Sequence, residues 1–444
     1  MKRILSVMGW LSWFVASALI IGSWPSRSAA QTISVDRSLL QTLREKGVLT
    51  EEEYGKLTKQ AEQEEKATAW AGKVEAGYKN GVYVKTTDDR FLLRLNANVQ
   101  GSFQYRDATD IDETTFRVRR ARLYFTGHAF YPWLKFYNQL TLEGNVSNIL
   151  LRDFFLQATY FKAAQPRLGQ SKVPFDREFL VSAFNLQLVE RSIVSDEFLL
   201  DRDIGLQLLG SVADGLLTYA VGVFNGSGAN RANVDRSMMG VARVVLAPLG
   251  PFPTNLESTS WYAQSALDRP STPRLAIGLA AAGLPDLEPG ERSTLAGRLG
   301  SASVVPVKSD VVQVTGDLAF QWHGFSLEAA GHWRRINPLA PLSGKSLPQT
   351  DAQGYFVQAG YFLSDLLPAV PKGLELAARY AWVNPDNPVN LGRNSQEAVT
   401  AGVNYFLSGH RLKAQVDYEY RDIEAQTKPT VIDHRVRAQI TFQF

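Results

Sequence analysis

Long stretches of this chain alternate between apolar and polar residues. In residues 91–106 the odd positions run from Phe91 to Tyr105 and are apolar or glycine, while the even positions from Arg94 to Arg106 are amides, serine or arginine. A period of two places one chemistry on each face of a β-strand. The same alternation recurs at 134–143, 312–323, 412–421 and 435–444. The polar faces carry charges that a dry core would not accept without partners, so the pattern predicts strands around a water-filled interior.

The sequence after Trp24 is compatible with only one way for such strands to cross a membrane. After Trp24 there is no run of 18 consecutive apolar residues, so the sequence predicts no membrane-spanning helix beyond that point. A closed barrel then satisfies every backbone hydrogen-bonding group within lipid. Residues 73–444 are therefore predicted to form an all-β transmembrane fold, a closed antiparallel outer-membrane β-barrel. With spanning strands of roughly 9–11 residues, about 16 strands fit best, and 14 to 18 are possible. The predicted long loops are 107–115, 166–202, 248–273, 283–310, 337–353 and 384–396.

The first 30 residues have the features of a cleavable signal peptide. Lys2 and Arg3 precede an apolar stretch from Ile4 to Trp24, and Ser28-Ala29-Ala30 supplies small residues for cleavage before Gln31. A retained membrane helix is the alternative interpretation, since the apolar stretch is long enough. The signal peptide predicts export, and with the barrel it predicts the bacterial outer membrane.

Residues 31–72 have helical rather than strand periodicity. Apolar residues recur at helical spacing in 36–46 and again in 51–66, on either side of Gly47, and Thr50 with Glu53 forms a capping box. The apolar stripes are too narrow for a self-sufficient domain. We expect a periplasmic helical hairpin or coiled-coil segment followed by a linker. Residues 34–66 could contact the cell wall or a periplasmic partner, in which case the barrel would also serve as an anchor.

Composition argues against most enzymatic and metal-binding functions. The chain has no cysteine, which removes thiolate metal sites and thiol nucleophiles. Without the signal peptide, the basic and acidic residues balance, which gives no reason to expect nucleic acid as a partner. The five histidines are scattered, and Gly344-Lys345-Ser346 lacks the earlier glycine of a phosphate-binding loop. We expect no cofactor, no metal and no enzymatic activity; a barrel enzyme built from scattered residues is the alternative.

A cluster of arginines marks the segment 116–125. Arg120 and Arg122 share a parity with Tyr124, whereas Arg117 and Arg119 fall on the opposite parity close to the predicted strand end. An arginine on the lipid face at mid-membrane costs roughly 2–4 kcal/mol, so these residues belong at a membrane boundary or in the lumen. They form either a rim that binds lipid headgroups or a cationic wall that attracts anions.

These arginines belong to a set of motifs by which the chain resembles the phosphate-selective porin O and P family. The motifs lie at 91–97, 119–127, 133–136, 168–175, 188–192 and 202–205, with a C-terminal Phe444 that resembles the assembly signal of bacterial outer-membrane barrels. The resemblance implies a homotrimer of 16-stranded barrels, each pore being narrowed by an infolded loop. It also implies that Arg119 and Arg120 line the constriction.

The chain also departs from the family pattern. Members with a proven phosphate preference carry further arginines in a later infolding loop, where residues 268–275 offer only Arg269 and Arg274, and Gln170 stands where a basic residue is common. We therefore expect a passive porin for small hydrophilic solutes that leans toward anions, with small solutes and outer-membrane lipid as its partners. The candidate pore-lining and anion-binding residues are Arg119, Arg120, Arg122, Lys172, Arg191 and Arg274.

Overall fold

The computed structural model describes residues 37–60, 74–109, 111–142, 150–290, 293–297, 305–386, 395–424 and 430–444. The chain divides into two compact units, Met1–Val74 and Glu75–Phe444. The predicted signal peptide, the predicted linker up to residue 72 and residues 34–36 and 61–66 of the predicted helical segment lie outside the described residues. The described part contains no helix that is long and apolar enough to cross a membrane.

Two helices make up the described part of the N-terminal unit. Helix α1 spans Arg37–Glu45, and helix α2 is helical over residues 51–60. Between them the chain turns at Gly47, whose φ of 69° suits glycine. The capping box forms as a reciprocal pair, because the Thr50 N–H donates to Glu53 over 3.0 Å and the Glu53 N–H donates to the Thr50 hydroxyl over 3.3 Å. The hydrogen bonds from Thr50 lower the pKa of the Glu53 carboxyl.

The second unit is one 18-stranded antiparallel sheet that closes on itself. Its strands are β1 (Val74–Tyr78), β2 (Val82–Thr86), β3 (Phe91–Ala108), β4 (Ile111–Ala129), β5 (Leu134–Thr141), β6 (Leu150–Ala158), β7 (Gln165–Lys172), β8 (Arg202–Val212), β9 (Leu217–Phe224), β10 (Met239–Leu246), β11 (Arg274–Leu287), β12 (Ser309–Trp322), β13 (Phe325–Pro338), β14 (Thr350–Phe362), β15 (Leu374–Asn384), β16 (Gln396–Ser408), β17 (Leu412–Ile423) and β18 (Val431–Gln443). Strands β3 to β18 pair in chain order, and β18 pairs with β3. The predicted closed barrel of 16 strands is confirmed. Strands β1 and β2 form a short hairpin, and β2 pairs with the N-terminal end of β3 at residues 92–95.

The alternation in the sequence becomes an outer and an inner face of this barrel. Leu93 and Val416 are 46% and 52% exposed on the outside, whereas Gln100 and Asp417 are buried within. Apolar side chains outside suit lipid, and polar side chains inside find hydrogen-bonding partners across the lumen.

Several predicted loop bounds are wrong. The loop predicted at 166–202 begins too early, because Gln165–Lys172 form β7, and the loop predicted at 283–310 overlaps the end of β11 at Leu287. Residues 107–115 were expected to form a long connection, but β3 continues to Ala108 and β4 begins at Ile111, and Ala108 pairs directly with Ile111. Asp112, Glu113 and Thr114 are exposed, so this end of the hairpin is in water and its strands do not need an apolar face. Alternation stops there, although the backbone pairing continues.

Two connections lie inside the barrel rather than outside it. Residues 173–201, here called the inner loop, link β7 to β8 and contain the short helices α3 (Arg177–Leu180) and α4 (Ile193–Phe198), which Asp176 and Ser192 cap. Residues 247–273, here called the inner segment, link β10 to β11 and start from the opposite end of the barrel. The two meet in the lumen, where Leu180 and Leu186 pack with Leu256 and Trp261. They narrow the space through which a solute could pass.

Candidate functional site

A β-bulge in β4 brings neighbouring arginines to the same side of the wall. Gln100 of β3 pairs with Arg120, but the next residue, Gly101, pairs with Val118, so that Arg119 has no partner of its own in the register. Such an extra residue shifts the parity of the strand by one. Before the bulge Val118 faces outward, and after it Arg120 is buried in the lumen wall. The bulge corrects the prediction that Arg119 lies on the outer parity.

Both bulge arginines bind Glu190 of the inner loop. The Nε and Nη2 atoms of Arg119 donate to the two carboxylate oxygens over 2.5 and 3.1 Å, and Nη2 of Arg120 donates over 2.8 Å. Arg120 also donates to the side chain of Gln100 over 2.9 Å. Burial opposes ionisation of Glu190, but the charges of Arg120 and Arg119 outweigh it and hold the pKa of Glu190 well below its usual range.

Three further cations surround one aromatic ring of the inner loop. Lys172 Nζ lies 4.8 Å from the centre of the Phe179 ring, and the guanidinium carbons of Arg191 and Arg202 lie 5.1 and 5.6 Å from it. Lys172 donates to the carbonyls of Phe179 and Val181, over 2.5 and 3.1 Å. Arg191 donates to the carbonyl of Val181 over 2.8 Å. Within the described residues, Lys172 and Arg191 donate to neutral carbonyl oxygens and form no ion pair, although the carboxylates of Glu178, Asp196 and Asp176 lie close enough to act on the charge of Arg191.

These cations line a cavity of about 440 Å³. It extends from the barrel end that holds Phe444 to the inner loop at Phe179. The described residues around it include a single acidic side chain, that of Glu257, and eight basic side chains. The basic residues are Arg94, Arg122, Lys135, Arg152, Lys172, Arg191, Arg202 and Arg411.

Some of these charges are balanced by acidic neighbours. Lys135 lies 3.3 Å from Glu257, and Arg202 lies 3.0 Å from Asp153. Arg94 forms no ion pair with any residue in the described ranges. Arg122 is buried, and its guanidinium lies 5.4 Å from the centre of the Phe184 ring. The cavity therefore has an excess of positive charge.

The inner loop is held in place by buried ion pairs with the wall. Arg177 binds Glu328 on β13 over 3.1 Å, and Glu197 binds Arg334 on the same strand over 2.5 Å. Glu178 binds Arg379 on β15 over 3.3 Å. The loop thus has fixed contacts with β13 and β15.

The structure does not bring all six candidate residues together. Arg122, Lys172 and Arg191 line the cavity, and Arg119 and Arg120 bind the inner loop beside it. Arg274 begins β11 and lies 2.6 Å from Asp268, away from the cavity lining. The sequence analysis did not identify five of the basic cavity residues, which are Arg94, Lys135, Arg152, Arg202 and Arg411. The alternation of β3 could have identified Arg94, because it places that residue on the lumen face.

A closed antiparallel barrel with an apolar outer face and a charged, loop-narrowed interior defines an outer-membrane channel of the porin class. The chain belongs to the phosphate-selective porin O and P family, whose sequence pattern matches residues 93–444.

Other proteins resemble the chain in sequence or in fold. An uncharacterized protein of Aquifex aeolicus (strain VF5) is 22% identical over 452 residues, which cover 96% of this chain and 99% of that protein. The outer membrane channel DcaP of Acinetobacter baumannii superposes with a TM-score of 0.53 at 11% identity, over 83% of this chain and 100% of that one. An anion-selective porin from Comamonas acidovorans gives a TM-score of 0.52 at 12% identity, over 79% and 99% of the two chains. At these identities the likeness is one of fold.

Proposed function

We propose that this porin is a passive diffusion channel for small hydrophilic solutes that prefers anions and has no enzymatic activity. The observation that carries the preference is the cavity with eight basic side chains and one acidic side chain among its described lining residues. In a narrow, poorly screened passage, fixed charges of one sign concentrate counter-ions and repel ions of their own sign. Chloride, phosphate and small organic anions should therefore enter more readily than potassium.

The arrangement of the cations supports transient binding rather than tight capture. Lys172, Arg191 and Arg202 present their charges around Phe179, and Arg94 and Arg122 project from the neighbouring strands β3 and β4. An anion that leaves the cluster at Phe179 would meet these further cations in the same cavity, and conduction requires such binding at more than one site. The cavity cations form a surface that attracts anions in general, and phosphate is one of them.

We further propose that the protein is exported, loses residues 1–30 as a signal peptide and forms a homotrimer in the outer membrane. The family resemblance supports the trimer. The apolar outer face of the barrel, with Leu93 and Val416 among its exposed residues, supports contact with lipid.

Ion substitution in planar bilayers tests the channel directly. In a channel that prefers anions, replacing chloride by a bulky anion such as gluconate should lower single-channel conductance several-fold. Replacing potassium by a bulky cation such as tetraethylammonium should lower it much less. The opposite order would contradict the anion preference, and a barrel that conducts in none of these salts would contradict the channel itself.

A second role is proposed for the N-terminal helices, because they lie in a compact unit separate from the barrel. Residues 34–66 would tether the outer membrane to the cell wall or to a periplasmic partner. Deleting residues 31–72 should leave a folded, heat-resistant barrel with wild-type conductance, since no barrel strand is removed. The tether predicts that this deletion abolishes sedimentation of the protein with purified cell wall. Loss of barrel folding would show that the helices are part of the barrel unit.

A further inference from the structure

The Arg119–Arg120 pair is already bound by an anion that belongs to the protein. Glu190 accepts hydrogen bonds from both guanidinium groups, and Gln100 accepts another from Arg120. Charge-assisted bonds of this kind, one of them a two-point contact from Arg119, are the stronger class of protein hydrogen bonds. An anion passing through the pore would have to displace Glu190 before it could use the same groups.

The residues on either side of Glu190 are held from other strands. The N–H of Val189 donates to Asp417 on β17 over 2.9 Å. Arg379 on β15 donates to the carbonyls of Glu190 and Arg191 over 3.0 and 3.2 Å. Strands β4, β15 and β17 are not neighbours in the barrel. Residues 189–191 therefore contact three strands within one arc of the wall that runs from β15 through β17 to β4, and Glu190 makes the contact to β4.

The Gln100 side chain joins the same contact to another part of the inner loop. Its oxygen accepts from Arg120, while its amide nitrogen donates to the carbonyl of Ala183 over 3.2 Å and to Thr441 of β18 over 3.1 Å. The bulge thus holds the inner loop at two points, residues 183 and 190.

We propose that Glu190 is a positioning residue that clamps the inner loop to the bulge, and that Arg119 and Arg120 set the width of the pore rather than bind the passing anion. This departs from the role that the family resemblance implies for the arginine pair. The inference rests on the proposed channel, but it does not depend on the anion preference, which lies with the cavity cations.

Conductance in 1 M KCl separates positioning from charge. At that salt concentration the screening length is about 3 Å, so fixed charges contribute little to conductance and the width of the pore remains. Glu190→Gln and the double variant Arg119→Gln/Arg120→Gln change the charge in opposite directions, but each removes the clamp. Both should raise conductance by roughly 1.5-fold or more and add open-channel noise, because residues near 190 lose their contact with β4 and obstruct the lumen less, while the other contacts of the inner loop remain. Asp351→Asn and Arg231→Gln/Arg335→Gln, whose residues lie outside the cavity lining, are the matched controls and should match the wild type.

A charge-conserving variant gives a second measurement. Arg119→Lys/Arg120→Lys keeps both charges but loses the planar fork that binds two carboxylate oxygens. The clamp predicts raised conductance and noise for this variant too, with heat-modifiable gel mobility showing that the barrel is intact. Wild-type conductance in the lysine variant would overturn the proposal. Wild-type or lower conductance in 1 M KCl for either glutamine variant would also overturn it. The anion preference of the wild-type channel is tested separately, by its zero-current potential in a salt gradient.

Discussion

The triple variant Arg94→Gln/Arg122→Gln/Arg191→Gln is expected to lose most of its anion preference. These three cations line the cavity, and glutamine keeps polar contacts while removing the charge. Two unit charges 4 Å apart interact by about 1 kcal/mol in water, and by more near protein, so three sites together act strongly on a passing ion. We expect the anion-to-cation permeability ratio in 0.1 M salt to fall on the order of tenfold, which corresponds to about 1.4 kcal/mol.

The matched control removes three arginines elsewhere. Arg231 and Arg236 are exposed between β9 and β10, and Arg335 is paired with Asp351 outside the cavity lining. The variant Arg231→Gln/Arg236→Gln/Arg335→Gln has the same change in net charge and should keep the wild-type ratio. If both triple variants lowered the ratio equally, selectivity would depend on total charge, and the cavity would have no special role.

Arg243→Met is expected to cause the largest loss of stability. Arg243 on β10 and Asp317 on β12 form a two-point ion pair of 2.7 and 2.9 Å with both side chains buried, and Arg243 also donates to the carbonyl of Phe175 in the inner loop. A Cβ atom at Gly278, which lies between them on β11, would come within 2.5 Å of Asp317, so the two charges meet across a glycine. Breaking a buried pair from one side costs about 3–5 kcal/mol, because the other charge stays buried without its partner.

Urea unfolding in lipid vesicles measures this loss, and a double variant identifies its cause. Arg243→Met/Asp317→Asn removes both charges and should recover a large part of the free energy of unfolding. If the double variant were as unstable as Arg243→Met, the loss would come from the contact with Phe175 or from packing. The unpaired, buried charge of Asp317 would then not be its cause.

The barrel could be predicted from the sequence because the requirement that lipid places on each strand is local. Apolar residues such as Leu93 and Val416 must face lipid, and this requirement is visible as a period of two in each strand. The period of two disappears where a strand extends beyond the lipid. At residues 107–109 and 111–115 both faces of the hairpin meet water, so strands without alternation were mistaken for a loop.

The site could be predicted only in part, because its geometry depends on contacts far apart in the chain. The sequence pattern does not predict the β-bulge in β4, so strict alternation assigned Arg119 to the wrong face of the strand. Glu190 lies in a segment without periodicity, and its pairing with β4 follows from the path of the inner loop inside the barrel. Lys172 and Arg191 were identified through motifs, whereas their common position beside Phe179 required the fold.

The zero-current potential of the wild-type channel in a tenfold KCl gradient tests the central proposal most directly. Because the described cavity lining has eight basic side chains and one acidic side chain, chloride should carry most of the current. The potential should then have the sign of chloride diffusion, and it should shrink toward zero as both salt concentrations are raised and screening increases. A potential with the sign of potassium diffusion, or one near zero at low salt, would contradict an anion-selective pore.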